Sequence, residues 1–189
     1  MSKVSFHYSA AYDHMLTMMM MQQFDESQVA RVKKFTYELD AWWASEEGRV
    51  IKEIEKVSGL KFPKAVECYV VNQMLYTAIS HPLTIKMDAS FERLKLVLVH
   101  ELIHVLLASH AECKEMVLNL NERYPDKDTY FKSHIPVFLV QAKVLENLYG
   151  KNAMKNYIAQ DVLEEELPIV REAERLGKQF DRNVVKFFQ

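Results

Sequence analysis

Glycine and proline are scarce in this chain, with four and five among 189 residues. A sequence with so little turn chemistry favours long helices over a turn-rich sheet. Cysteine is scarcer still. Cys68 and Cys113 are too few and too far apart to build a disulfide framework, which points to a reducing, cytoplasmic setting. Neither sign of charge dominates, since 24 Lys and Arg face 26 Asp and Glu. That balance gives no electrostatic reason to expect nucleic acid as the main partner. Long hydrophobic runs are absent as well: none approaches the ~20 apolar residues of a membrane span. Four methionines at 18–21 form the first apolar run, far shorter than the core of a signal peptide. The expectation is a cytoplasmic protein with neither a membrane nor a nucleic-acid partner.

What remains is ordinary globular material, 49% apolar and 26% charged, and long enough to enclose a hydrophobic core as one domain. Residues 1–58 read as a helical segment. Tyr37, Leu39, Trp42, Trp43, Val50, Ile51, Ile54 and Val57 recur at helix-like spacing, and Gly59 is a stop signal. Packing on a helix face is the reading for the methionine run, because thioethers need other soft ligands nearby to hold copper. Residues 65–71 and 83–87, the second opened by Pro82, are rich in β-favouring side chains and suggest a small sheet. Helices then resume over 91–109 and over 134–149, the latter with Ser133 as N-cap and Gly150 as C-cap. Leu167-Pro168 breaks the chain before a last helix whose inner face would be Ala173, Leu176, Phe180, Val184 and Phe187. The expected layout is an N-terminal helical segment to residue 58, a core over 65–150 and C-terminal helices over 151–189.

The informative stretch is residues 96–107. Nine of its twelve residues are large and apolar, so this helix should lie in the middle of the protein. The exceptions are His100, Glu101 and His104. Histidines four apart share a helix face one turn above the other, which suits two imidazoles converging on one tetrahedral Zn²⁺. Glu101 is turned one step away, placed to reach a water on the metal rather than the metal itself. A buried carboxylate with no partner is costly, and a bound dication removes that cost.

His100-Glu101-Leu102-Ile103-His104 resembles the motif of the zincin metallopeptidases and, more loosely, of small single-domain gluzincin-like proteins. The resemblance implies an α+β fold, mostly helical, with a small twisted sheet packed on the buried motif helix. It also implies that an edge strand aligns the peptide substrate, and residues 83–87 are the natural candidate.

A catalytic zinc takes three protein ligands and keeps one position open, so a third must come from elsewhere. His110 has the spacing of the metzincin motif, but Leu107 stands where that motif needs glycine. Six further residues also turn a helix through about 600°, away from the metal face. Glu122 lies in a stretch similar to the Asn-Glu-x-x-x-Asp of thermolysin-like enzymes, yet Pro125 suggests that the helix ends there. His134 and Glu146 share the next helix and, ~18 Å apart along it, cannot share one metal. His134, in a first turn whose dipole would keep the ring neutral, is preferred; Glu146, matching the gluzincin pattern, comes next. With the site complete, Glu101 would take a proton from the zinc-activated water and pass it to the leaving amine of a peptide or protein substrate. Tyr130, Tyr149 and Tyr157 are candidates to stabilise the oxyanion. The rival reading is a zinc-binding regulatory or interaction protein whose peptidase activity is latent or lost.

Overall fold

A computed structural model describes residues 3–63, 65–87 and 90–189. It is an α+β structure in which helices surround a four-stranded mixed sheet. The chain opens with a strand, β1 (Lys3–Tyr8), followed by α1 (Ala10–Met19) and the 31-residue α2 (Gln28–Ser58). The sheet continues with β2 (Ala65–Val71), β3 (Ala78–Ser80) and β4 (Leu83–Lys86). Then come α3 (Phe91–Ala108), α4 (Cys113–Arg123), α5 (Thr129–Tyr149) and α6 (Ala153–Asp161). A short 3-10 turn (Glu164–Glu166) leads into α7 (Leu167–Gly177) and α8 (Val184–Phe187).

The sheet order is β1-β2-β4-β3, with β1, β2 and β4 parallel and β3 antiparallel to β4. This corrects two expectations. Residues 3–8 are a strand rather than helix: Val4 and Phe6 are buried while Ser5 and His7 are not, the period-two pattern of a half-buried strand. The segment expected as the substrate-aligning edge is interior instead, since β4 is paired on both sides and β3 forms the edge.

The long α2 buries Val32, Leu39, Trp43, Val50, Ile51, Ile54 and Val57, whereas Tyr37 points to solvent. Gly59 ends the helix at φ 77°, in the left-handed region that suits glycine. A Cβ there would meet the side chain of Asn183 at 2.9 Å, so the position is close-packed as well. The expected last helix is divided. α7 stops at Gly177, and Asn183, at φ 62°, starts the separate α8. The inner face survives the break, with Ala173, Leu176, Phe180 and Val184 all buried.

The methionine run does not pack on a helix face. Met18, Met19 and Met21 are 62%, 73% and 97% exposed. What α1 buries is Asp13 and Thr17. An Asp13 oxygen accepts from the backbone N–H of Asn72, just past β2, and Thr17 Oγ1 donates to the Asp13 carbonyl. Among the described residues no single helix is long and apolar enough to cross a membrane.

At the centre is α3. Ser90 caps it by accepting from the N–H of Arg93, satisfying one of the free donors of its first turn. Leu94, Leu98, Val99, Leu102, Ile103 and Leu106 are fully buried, and the helix touches α2, α5, α6, β3 and β4. Burying each such leucine contributes about 1.5–3 kcal/mol relative to leaving it in water. Being apolar nearly all round, α3 needs neighbours on every side.

Candidate metal centre

His100 is buried and His104 half-buried, one turn apart on α3. Their Nε2 atoms are 3.2 Å apart. From α5, which packs across α3, comes His134, its ring centred 4.6 Å from that of His104 and 5.8 Å from that of His100. One ring nitrogen from each of the three lies within 4.8 Å of the other two. Three imidazole nitrogens gathered in this way could hold a metal ion.

Hydrogen bonds select the ring nitrogens that face inward. His100 Nδ1 is 2.9 Å from Gln141 Oε1, and the Gln141 amide nitrogen is 3.5 Å from the Leu96 carbonyl. With its amide turned that way Gln141 accepts, so His100 Nδ1 carries the hydrogen and Nε2 keeps its lone pair. His134 Nδ1 lies 2.9 Å from the carbonyl of Tyr130, which can only accept, and its Nε2 is bare for the same reason. Such outer contacts are how proteins orient metal-binding imidazoles. Burial pushes all three rings toward the neutral form that binds metal, His100 down to about 4 and His104 down to about 2. Neighbouring imidazoles act the same way: His134 on His100, and His100, His134 and then His81 on His104.

Aromatic packing holds the rings in place. Tyr157 stacks on His100 at 5.6 Å, and Tyr130 lies over His134 at 3.9 Å. Phe138, one turn beyond His134, fills the space between the helices, 5.1 Å from His100.

The histidines open onto a cavity of about 850 Å³. Glu101 lines it too, beside the metal group but outside it. Burial raises the Glu101 carboxyl to about 8, and the carboxylate of Glu166 pushes in the same direction. Glu166 is itself buried and has partners. It accepts from the Tyr130 hydroxyl at 2.5 Å and from the backbone N–H of Leu163 at 2.8 Å. Edge strand β3 and the loop before it form one wall of the cavity. Arg93, bonded to Asp161 and Thr77, ties that loop to the end of α6.

Of the four candidate third ligands, the structure brings His134 alone to the pair, but not for the local reason expected. α5 starts five residues earlier, where the Asp128 side chain accepts from the N–H of Phe131. Ser133 is therefore no N-cap; its hydroxyl donates to the Tyr130 carbonyl inside the helix, which runs on through Pro136. His134 lies in the second turn, and burial rather than the helix dipole keeps it neutral. Glu146 and Glu122 are exposed near the C-terminal ends of α5 and α4, and His110 bonds its ring to the Leu106 carbonyl. Tyr130 and Tyr157 line the cavity, whereas Tyr149 packs against Arg49 and Lys95 elsewhere.

Sequence reasoning missed Glu166, the hydrogen bond from His100 to Gln141, and the edge role of β3. Residues 164–166 are three consecutive glutamates before Leu167-Pro168, and nothing local shows that the third turns inward. Comparison of the chain with family models, curated proteins and solved structures finds no match.

Proposed function

We propose that this protein is a zinc-dependent metallopeptidase of the zincin type, with His100, His104 and His134 as ligands and Glu101 as general base. The observation that carries the reading is convergence. Three imidazoles held neutral, two of them with Nδ1 already committed to an acceptor, meet beside a carboxyl group on the wall of one cavity. Three ligands are the number that leaves a tetrahedral zinc one open position. When bound, the metal would supply Lewis-acid polarisation of a substrate carbonyl.

The chain's own residues supply the rest. Glu101 takes a proton from the attacking water and delivers it to the leaving amine. Burial alone leaves Glu101 protonated at neutral pH, and a nearby dication favours the carboxylate, which returns the group to the range where a base works. Tyr157, stacked on His100, holds a hydroxyl on the cavity wall near Glu101. Among the described residues β3 pairs with β4 alone, so its other edge offers backbone donors and acceptors to an extended peptide beside the metal group.

The test is Glu101→Gln, which keeps size and removes the base. Both proteins should hold one zinc per chain by elemental analysis, and the wild type alone should cleave a quenched fluorescent peptide library. Absence of zinc uptake, or undiminished cleavage by Glu101→Gln, would overturn the assignment. Zinc retained by a wild type with no hydrolysis would instead favour a zinc-binding regulatory or interaction protein.

A further inference from the structure

Exposed apolar side chains scattered singly over a protein need no explanation, but here four converge on one opening. Leu75, Tyr76, Tyr130 and Leu163 are 75%, 54%, 47% and 46% exposed, and all four line the cavity that holds the histidines. They come from separate places. Leu75 and Tyr76 sit on the loop leading into β3, Tyr130 at the start of α5, and Leu163 just before the turn that opens α7. Across the mouth the phenol of Tyr76 is close enough to that of Tyr130 to help raise its pKa.

Two of the four residues are tied to one buried group, Glu166. One oxygen of Glu166 accepts from the Tyr130 hydroxyl and the other from the N–H of Leu163. One carboxylate thus anchors the Tyr130 side chain and the Leu163 backbone, and desolvating it has a cost that only well-made hydrogen bonds offset. The walls also carry Asp128, Asp161, Glu165 and Glu166 against Arg93, which is already bonded to Asp161. Such a wall repels a carboxylate and tolerates an apolar or cationic group.

We infer that Leu75, Tyr76, Tyr130 and Leu163 form an apolar subsite that selects peptide segments carrying a large aliphatic or aromatic side chain beside the metal group, with Glu166 as its positioning residue and acidic side chains disfavoured. That the ligand is a peptide rests on the function proposed above. The subsite itself rests on exposure and on the Glu166 bonds. An apolar residue entering the mouth would take surface on these side chains out of water.

The experiment uses the zinc-loaded Glu101→Gln protein and labelled hexapeptides identical except for Phe, Gly or Glu at one central position, with binding read by fluorescence anisotropy. The Phe peptide should bind at least about tenfold more tightly than the Gly peptide, the scale on which hydrophobic pockets discriminate, and the Glu peptide most weakly. Adding Leu75→Ser and Leu163→Ser, both at exposed positions, should erase the advantage of Phe while circular dichroism and melting stay unchanged. Glu166→Gln should shrink that advantage and leave Gly-peptide binding as it was, a split that a general loss of structure would not produce. Equal binding of the Phe and Gly peptides, or a preference that survives both serine substitutions, overturns the subsite. Wild-type protein given the same peptides separates the two readings. A Phe preference in binding with no cleavage would sink the peptidase and leave the subsite standing, whereas equal cleavage of all three would do the reverse.

Discussion

Helices α1 and α3 are built from similar material and lie in opposite environments. Seven of ten residues in α1 and twelve of eighteen in α3 are apolar or aromatic. Yet α3 buries nearly all of its apolar side chains, whereas α1 buries Asp13 and Thr17 and leaves Met15, Met18 and Met19 in water. The difference lies in what surrounds each helix. α3 has helices and strands on every side, whereas α1 is held at β2 by a polar anchor, the Asp13 bond to Asn72. Apolar composition states a preference for burial; the number of neighbouring elements decides whether it is met. The histidines of α3 matter for the same reason, because burial is what keeps them neutral and gathered.

The largest break in the comparison should come from the metal group. His134→Ala removes the proposed third ligand, which α3 does not itself carry. It should weaken zinc affinity by orders of magnitude in competition with a chromophoric chelator, while Glu146→Gln leaves affinity unchanged. The reverse result would return the third-ligand role to Glu146. The sequence favours His134 through a helix start placed at Ser133. The structure brings His134 beside the pair, whereas the helix is capped at Asp128 rather than at Ser133. A helix begins where a side chain meets its free N–H groups, and several Ser and Asp residues in one stretch compete for that role.

A core truncation comes next. Leu98→Ala on α3 should destabilise the fold by about 2–5 kcal/mol in urea unfolding, the range for large-to-small changes at buried sites. Met19→Ala on α1 should stay within about 0.5 kcal/mol, as exposed substitutions do. Equal effects would mean that α1 is covered in solution and that the contrast between the helices is not real.

Gln141→Leu should weaken zinc binding by about 10–100-fold, the usual scale for losing an outer-shell contact to a metal-binding histidine, while changing far-UV circular dichroism little. A variant that binds zinc as tightly as wild type would mean that the Gln141 contact does not set the His100 tautomer. Gln141 was legible as a residue on the His134 face of α5, but its hydrogen bond crosses to α3, 41 positions away.

The subtlest effect is on pH dependence without metal. Glu101 keeps its proton up to about 8 in the folded protein, whereas in the unfolded chain it is lost near 4.5. Between those values the folded state binds more protons, so this group lowers stability as pH rises through the window. The histidines act with the opposite sign. Their folded pKa values lie below the ordinary 6.5, so stability falls as pH drops from about 6.5 toward the folded value of about 4 at His100. From pH 6.5 to 8 the Glu101 contribution is left largely alone. The metal-free wild type should lose melting temperature across that range, and metal-free Glu101→Gln should lose less. Identical slopes would contradict the shifted carboxyl.

Local pattern determined a good part of this protein. The burial of α3, the shared face of His100 and His104, the position of Glu101, the strands at 65–71 and 83–86 and the glycine stops at 59 and 150 all follow from periodicities and caps spanning a few residues. Such features depend on neighbours along the chain, and those neighbours are written side by side. Tertiary structure alone decided the strand order, which put β3 rather than β4 at the edge, and the docking of α5 on α3, which brought His134 and Gln141 to the pair. It also decided the inward turn of Glu166, which lies 62 and 65 residues beyond His104 and Glu101 (166 − 104 and 166 − 101). These outcomes depend on how whole elements cross and on what each leaves uncovered. No window of a few residues contains that, because the burial that shifts a pKa or holds a ring in place is a property of every element packed around it.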